Sequence, residues 1–318
     1  MKYNFCGNSG LQLPEISLGL WHNFGDVDDF NEATSMITHA FDSGITHFDL
    51  ANNYGPPPGS AETNFGRILA KELKGHRDEL VISSKAGHLM WDGPYGDGGS
   101  RKYIMASIDQ SLKRTGLEYF DIFYSHRYDP QTPIEETMQT LVDIVKQGKA
   151  LYVGISKYPK KELIKAYDFL KKQHVPCLIY QDKYSMLVRD PEKEHLSVND
   201  KYGVGFIAFS PLAQGLLTNK YLHGIPENSR ANKSHGFLQR EEVTTEVIHK
   251  VVALDELAKK RGQTLAQLAL GWLLHNEKVT SVIVGTSSLA QLKDNLRARE
   301  YTDFSTEELN LIEKILAD

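Results

Sequence analysis

Short apolar runs alternating with longer amphipathic stretches set the tightest limit on what this chain can become. Eight such runs recur: Ile16–Leu20, Thr46–Asp49, Leu80–Ser84, Ile122–Ser125, Leu151–Ile155, Leu178–Gln181, Gly205–Phe209 and Ser281–Val284. Each has strand length, and between most of them apolar residues fall at helical spacing. Strands alternating with helices pair in parallel through right-handed crossovers. Eight such units predict an α/β chain closed into a (β/α)8 TIM barrel. The alternative is an open, doubly wound sheet. It is weakened because no strand leads into a G-x-G-x-x-G turn. Ahead of the repeat, Phe5–Leu13 reads as a short hairpin around Asn8-Ser9-Gly10.

The helix after the fourth run has the clearest signals. Thr132 sits before Pro133, the expected first helical residue, with Glu135 at the third helical position; Ile134, Met138, Leu141, Val142 and Val145 share one face, and Gly148 ends it. Ser305-Thr306-Glu307-Glu308 has the form of a capping box. Lys160–Lys172, dense in charge, carries Leu163, Ala166, Tyr167 and Leu170 at helical spacing and reads as a helix with a solvated face. No linker or repeat divides residues 1–318, which are expected to form a single domain. Two connections, Gly87–Ser100 and Ser210–Arg240, are too long for plain turns. Both would leave the carboxyl ends of strands, where barrels keep their chemistry.

The chain has 318 residues, 41% of them hydrophobic, and a net charge of -5. That is enough for a full core, and no basic excess points to nucleic acid or an acidic membrane. Two cysteines, Cys6 and Cys177, make no disulfide framework and suit a reducing cytoplasm. No run approaches the roughly 18 apolar residues of a membrane span. The polar N-terminus does not read as a secretory signal. No H-E-x-x-H or close His/Cys cluster suggests a metal.

The ends of successive runs carry polar residues. Asp49 ends the second, with Tyr54 beyond it; Lys85 follows the third; His126 follows the fourth. Singly these read as a helix cap, a packed loop residue, a solvated edge and a structural histidine. In a barrel all four converge on one rim. An ammonium beside a phenol lowers its pKa from about 10. Lys85 is therefore expected to lower that of Tyr54, with Asp49 orienting Lys85. Tyr54 would then protonate a developing alkoxide and His126 would orient the carbonyl.

Phe48-Asp49-Leu50-Ala51-Asn52-Asn53-Tyr54-Gly55 resembles the FDTAxxYG motif of the aldo-keto reductases. Ile82-Ser83-Ser84-Lys85 and Tyr124-Ser125-His126-Arg127 look like that family's lysine and histidine strands. The resemblance runs through almost the whole chain and implies a (β/α)8 fold, with Asp49, Tyr54, Lys85 and His126 as the catalytic tetrad. It also implies a nicotinamide cofactor, NADPH. Gly154-Ile155-Ser156-Lys157 is similar to the carboxamide-binding G-[VI]-S-[NR] element, with Lys157 replacing the usual asparagine or arginine. Gln181 matches the next carboxamide ligand. Phe209-Ser210-Pro211-Leu212, with Gln214 and Gly215, matches the element around the nicotinamide and pyrophosphate. Gly285 to Asn295, containing Ser287, Gln291 and Asp294, resembles the adenosine-phosphate element, with Asp294 replacing a glutamate. Lys220 and Arg230 match basic positions near the cofactor phosphates, and Trp21 is expected at both cofactor and substrate. The substrate pocket is expected to draw on Trp21, His22, Tyr54, His88, Trp91, His126 and Arg127. Arg127 would hold a substrate phosphate unless it pairs with Asp129 or another carboxylate.

Within the family, Ser210–Leu217, Lys220-Tyr221 and Gly224-Ile225-Pro226 resemble the bacterial L-glyceraldehyde 3-phosphate reductase group. The potassium channel beta subunits are related, but carry asparagine in place of His126. The resemblance therefore implies an NADPH-dependent reductase of small polar aldehydes, such as a triose phosphate or methylglyoxal. A cofactor-sensing channel subunit is the second reading. A third, Lys85 as a Schiff-base nucleophile, leaves the cofactor elements unexplained. Assembly into homo-oligomers rests on analogy with relatives alone.

Overall fold

The computed structural model describes residues 1–222 and 242–317. Strands β1 (Tyr3–Phe5) and β2 (Gln12–Pro14) form the expected antiparallel hairpin. Eight parallel strands follow: β3 (Ile16–Gly19), β4 (His47–Asp49), β5 (Val81–Ala86), β6 (Phe120–Ser125), β7 (Ala150–Ser156), β8 (Cys177–Lys183), β9 (Gly205–Phe209) and β10 (Ser281–Val284). Each pairs with the next, and β10 pairs with both β9 and β3, so the sheet closes. Closure rules out the doubly wound alternative. All eight expected runs are strands, and no end moves by more than two residues.

The helices are α1 (Phe30–Asp42), α2 (Ser60–Glu72), α3 (Arg101–Thr115), α4 (Ile134–Lys146), α5 (Lys160–Lys172), α6 (Asp190–Glu194), α7 (Leu196–Tyr202), α8 (Thr245–Lys260), α9 (Leu265–His275), α10 (Leu289–Leu296) and α11 (Thr306–Ala317). In α5 the four expected apolar residues are the buried ones. Before α11, Ser305 and Glu308 exchange the two hydrogen bonds of a capping box. Helix α4 begins one residue later than its signals suggest. The Thr132 hydroxyl donates to the Asp129 carboxylate, and Pro133 takes the cap position. Among the described residues no helix is long and apolar enough to cross a membrane.

Strand alternation divides the core in two. Ile122, Tyr124, Ile179, Ile207 and Ile283 fill the barrel interior, and the hairpin adds buried Cys6 and Leu13. Phe48, Ile82, Phe123, Tyr180 and Phe206 face the helices. The same alternation sends Ser83 and Lys85 inward, while Ser84 turns out to donate to Glu62 of α2. Gly154 matters here because a Cβ on it would stand 2.3 Å from the Tyr124 ring. That ring lies under Lys85, with Nζ 5.7 Å from its centroid.

Candidate active site

At the carboxyl ends of the strands opens a cavity of about 1100 Å³. Asp49, Tyr54 and His126 line it. Lys85 stands behind them, fully buried. Its Nζ donates to Asp49 Oδ2 at 2.6 Å, to the Leu50 carbonyl at 2.6 Å and to Tyr54 Oη at 3.3 Å. Asp49 Oδ1 accepts from Ser83 at 2.8 Å and from Gln181 at 3.1 Å. The four residues expected to converge do so, each delivered by the end of its own strand or the loop beyond.

Burial dominates the electrostatics. It pushes the Tyr54 phenol well above its ordinary value, and the Asp49 carboxylate adds to the rise. The expected lowering by Lys85 is thus overturned: removing water and adding a negative neighbour outweigh one ammonium. Burial lowers the Lys85 pKa, opposed by Asp49. His126 falls well below the usual histidine range through burial, then the charges of Lys85, His88, Lys157 and Arg127. It is a neutral imidazole whose buried Nδ1 has no hydrogen-bond partner. Tyr54 and His126 meet edge to face at 6.0 Å between centroids.

Most of the residues expected at a cofactor line the cavity. Trp21, Gln181, Lys157, Phe209, Ser210, Pro211, Leu212, Gln214, Gly215, Lys220, Gly285, Ser287, Gln291, Asp294 and Asn295 line the same cavity as Tyr54. Ser156 is not in the lining; it is fully buried beside Gln181 in the β7–β8 register, and its Oγ has no partner. Gln291 Oε1 accepts from the Ser287 amide and hydroxyl, both at 3.0 Å. Asp294 is held by Thr264 and Gln267, which form the capping box of α9. Lys157 has a positive φ of 53°, and its Nζ lies 5.3 Å from the Phe209 ring centroid. Arg230 and the later part of the 210–240 connection lie outside the described residues.

Of the expected substrate residues, Trp21, His22 and His88 line the cavity. Trp21 stacks on His22 at 4.4 Å and on Tyr54 at 6.1 Å, and His88 meets His126 at 4.5 Å. Trp91 and Arg127 do not line it. Trp91 packs on Tyr103, while Arg127 pairs with Asp97 at 2.8 Å. The partner is a carboxylate from the 87–100 loop, whose path sequence alone does not show. Sequence reasoning missed Asn23, Leu89, Thr218, Asn219, Thr264 and Ala266, all in the lining. Asn53, also there, belonged to the quoted motif without a role; the others carried no chemical signal.

Residues 15–317 match the model of the aldo/keto reductase family. The chain is 55% identical to an L-glyceraldehyde 3-phosphate reductase of Escherichia coli, over all of this chain and 93% of that one. It is 36% identical to a probable voltage-gated potassium channel beta subunit of Arabidopsis thaliana, covering 94% of this chain and 91% of the relative. The crystal structure of a thermostable aldo-keto reductase, complexed with the inhibitor epalrestat, superposes with a TM-score of 0.78 at 28% identity, covering 99% of this chain and 100% of that one. Motif, barrel and matched length agree, and the chain belongs to the aldo/keto reductase family.

Proposed function

We propose that this protein reduces an aldehyde to an alcohol with NADPH, Tyr54 supplying the proton. The observation that carries this reading is Lys85 Nζ set between Asp49 Oδ2 at 2.6 Å and Tyr54 Oη at 3.3 Å, behind a cavity also lined by His126. The cavity has the volume for a ligand larger than a lone small aldehyde. The unpartnered Ser156 Oγ beside Gln181 suits a carboxamide, and Lys220, Ser287 and Gln291 suit phosphate groups. Bound there, NADPH supplies the hydride. His126, neutral, donates one N–H to the substrate oxygen and aligns it. Tyr54 gives its proton to that oxygen as negative charge develops. The Lys85 ammonium stabilises the phenolate left behind, and Asp49 keeps Lys85 charged and aimed. A phenol held neutral by burial is the form a proton donor requires.

The substrate reading follows the E. coli relative: a short aldehyde bearing a phosphate. Lys157 replaces Arg127 as the cation for that phosphate. It lines the cavity, its charge reaches His88 and His126, and among the described residues it forms no ion pair. Aldehydes assayed with NADPH and with NADH test the whole reading. Turnover is expected with glyceraldehyde 3-phosphate ahead of glyceraldehyde, and with NADPH ahead of NADH. Lys157→Gln should lower kcat/KM for the phosphorylated substrate selectively. Turnover of no aldehyde would favour the second reading, a cofactor-sensing subunit like the channel relatives.

A further inference from the structure

Beneath the tetrad a line of polar side chains crosses the barrel interior, buried on all sides. Ser281 Oγ on β10 lies 2.7 Å from Ser17 Oγ on β3, which lies 2.9 Å from His47 Nδ1 on β4. His47 Nε2 lies 3.0 Å from Ser83 Oγ on β5, and Ser83 reaches Asp49 Oδ1 at 2.8 Å. Ser17, His47, Ser83 and Ser281 are all fully buried.

Proton counting gives this line one direction. A carboxylate only accepts, so the single Ser83 proton goes to Asp49. Ser83 must then accept from His47, which places the imidazole proton on Nε2. In a neutral ring Nδ1 is left as an acceptor, so Ser17 donates to it, and Ser281 donates to Ser17. Every hydroxyl points toward Asp49. A proton on Nδ1 would break the order, since Ser17 would have to turn and give up its donation. We propose that His47, as the Nε2–H tautomer, is a positioning residue that aligns Ser83 and thereby holds Asp49 Oδ2 free for Lys85. It touches neither substrate nor cofactor; it acts through Ser83 and Asp49 on Lys85 and so on Tyr54. This rests on the reductase reading above. Burial supports it by pushing the His47 pKa down to about 4, with Lys85 adding to the fall and Asp49 opposing it. Among the described residues, the other titratable groups bearing on Asp49 and Lys85 are Tyr54, Tyr124, Glu62, His88, His126 and Lys157.

The test compares His47→Gln, which can still donate to Ser83, with His47→Met, which cannot. His47→Met should lower kcat on the order of 10-fold or more, move the basic limb of the kcat/KM pH profile, and leave the NADPH dissociation constant unchanged. His47→Gln should restore much of the rate and the profile. Nitrogen-detected NMR of the wild type should show His47 as the Nε2–H form across pH 6–9. A folded His47→Met with the wild-type pH profile and only a lower Tm overturns the proposal, as does an Nδ1–H tautomer. Absence of aldehyde turnover in the wild type would instead sink the reductase reading, and the tautomer measurement would still decide the order of the line.

Discussion

The Tyr54 phenol stands between an ammonium 3.3 Å away and the field of a carboxylate, 8% exposed at the wall of the cavity. Tyr54→Phe removes one oxygen and leaves the ring to pack on Trp21. Turnover should fall on the order of 10²-fold or more, while NADPH still titrates normally by fluorescence. Near-normal turnover would remove Tyr54 from its role. The histidines make a second prediction, in stability. Burial lowers His47 and His88 to about 4, and takes His126 well below the ordinary 6.5. Between those values and 6.5 the unfolded chain binds more protons than the folded one, so stability is full above pH 6.5 and is lost as pH falls toward 4. Tm measured from pH 8 to 4.5 should hold and then drop, more gently in His88→Gln. A level Tm across that range would contradict neutral burial.

At the level of elements, one strand position sets how much room the interior has. Gly154→Ala would drive a methyl into the Tyr124 ring, and overpacking of this kind costs about 1–3 kcal/mol. Urea unfolding should show that loss, and kcat should fall with it because the ring under Lys85 must shift. Unchanged stability would mean the β6–β7 pair yields more than close packing allows. The strands were legible because a barrel strand, covered on both faces, needs an almost unbroken apolar run. The tetrad was legible because its members fall at strand ends within a family motif. Trp91 was misplaced, and of the two readings of Arg127 the carboxylate pairing is the one realised, because the surroundings of both depend on the path of the 87–100 loop. The rise of the Tyr54 pKa was missed because proximity to Lys85 can be read from strand order, whereas the depth of burial cannot. Nor did Ser17, His47 and Ser83 announce a line: they are brought together only by the stagger of three strands.

For the molecule as a whole, the hairpin is more than an N-terminal ornament. Cys6 and Leu13 are fully buried against the same interior cluster as Ile122, Ile179 and Ile283, so the amino end of the barrel is stoppered with apolar side chains. Stoppered there, the cavity opens, among the described residues, at the carboxyl ends of the strands, and cofactor and substrate must share that opening. Ser156 and Gln181, the proposed carboxamide ligands, are almost wholly buried, whereas Trp21 and His22 at the mouth are only half-buried. The cofactor should therefore enter first and leave last, with the aldehyde and alcohol passing above it. Product-inhibition kinetics check this directly: NADP should compete with NADPH, and the alcohol should not. If the alcohol competes with NADPH, the two share no fixed order. On the expected outcome, a slow departure of the deeper guest would cap the rate for every good aldehyde alike, and substrates of very different reactivity would converge on one kcat.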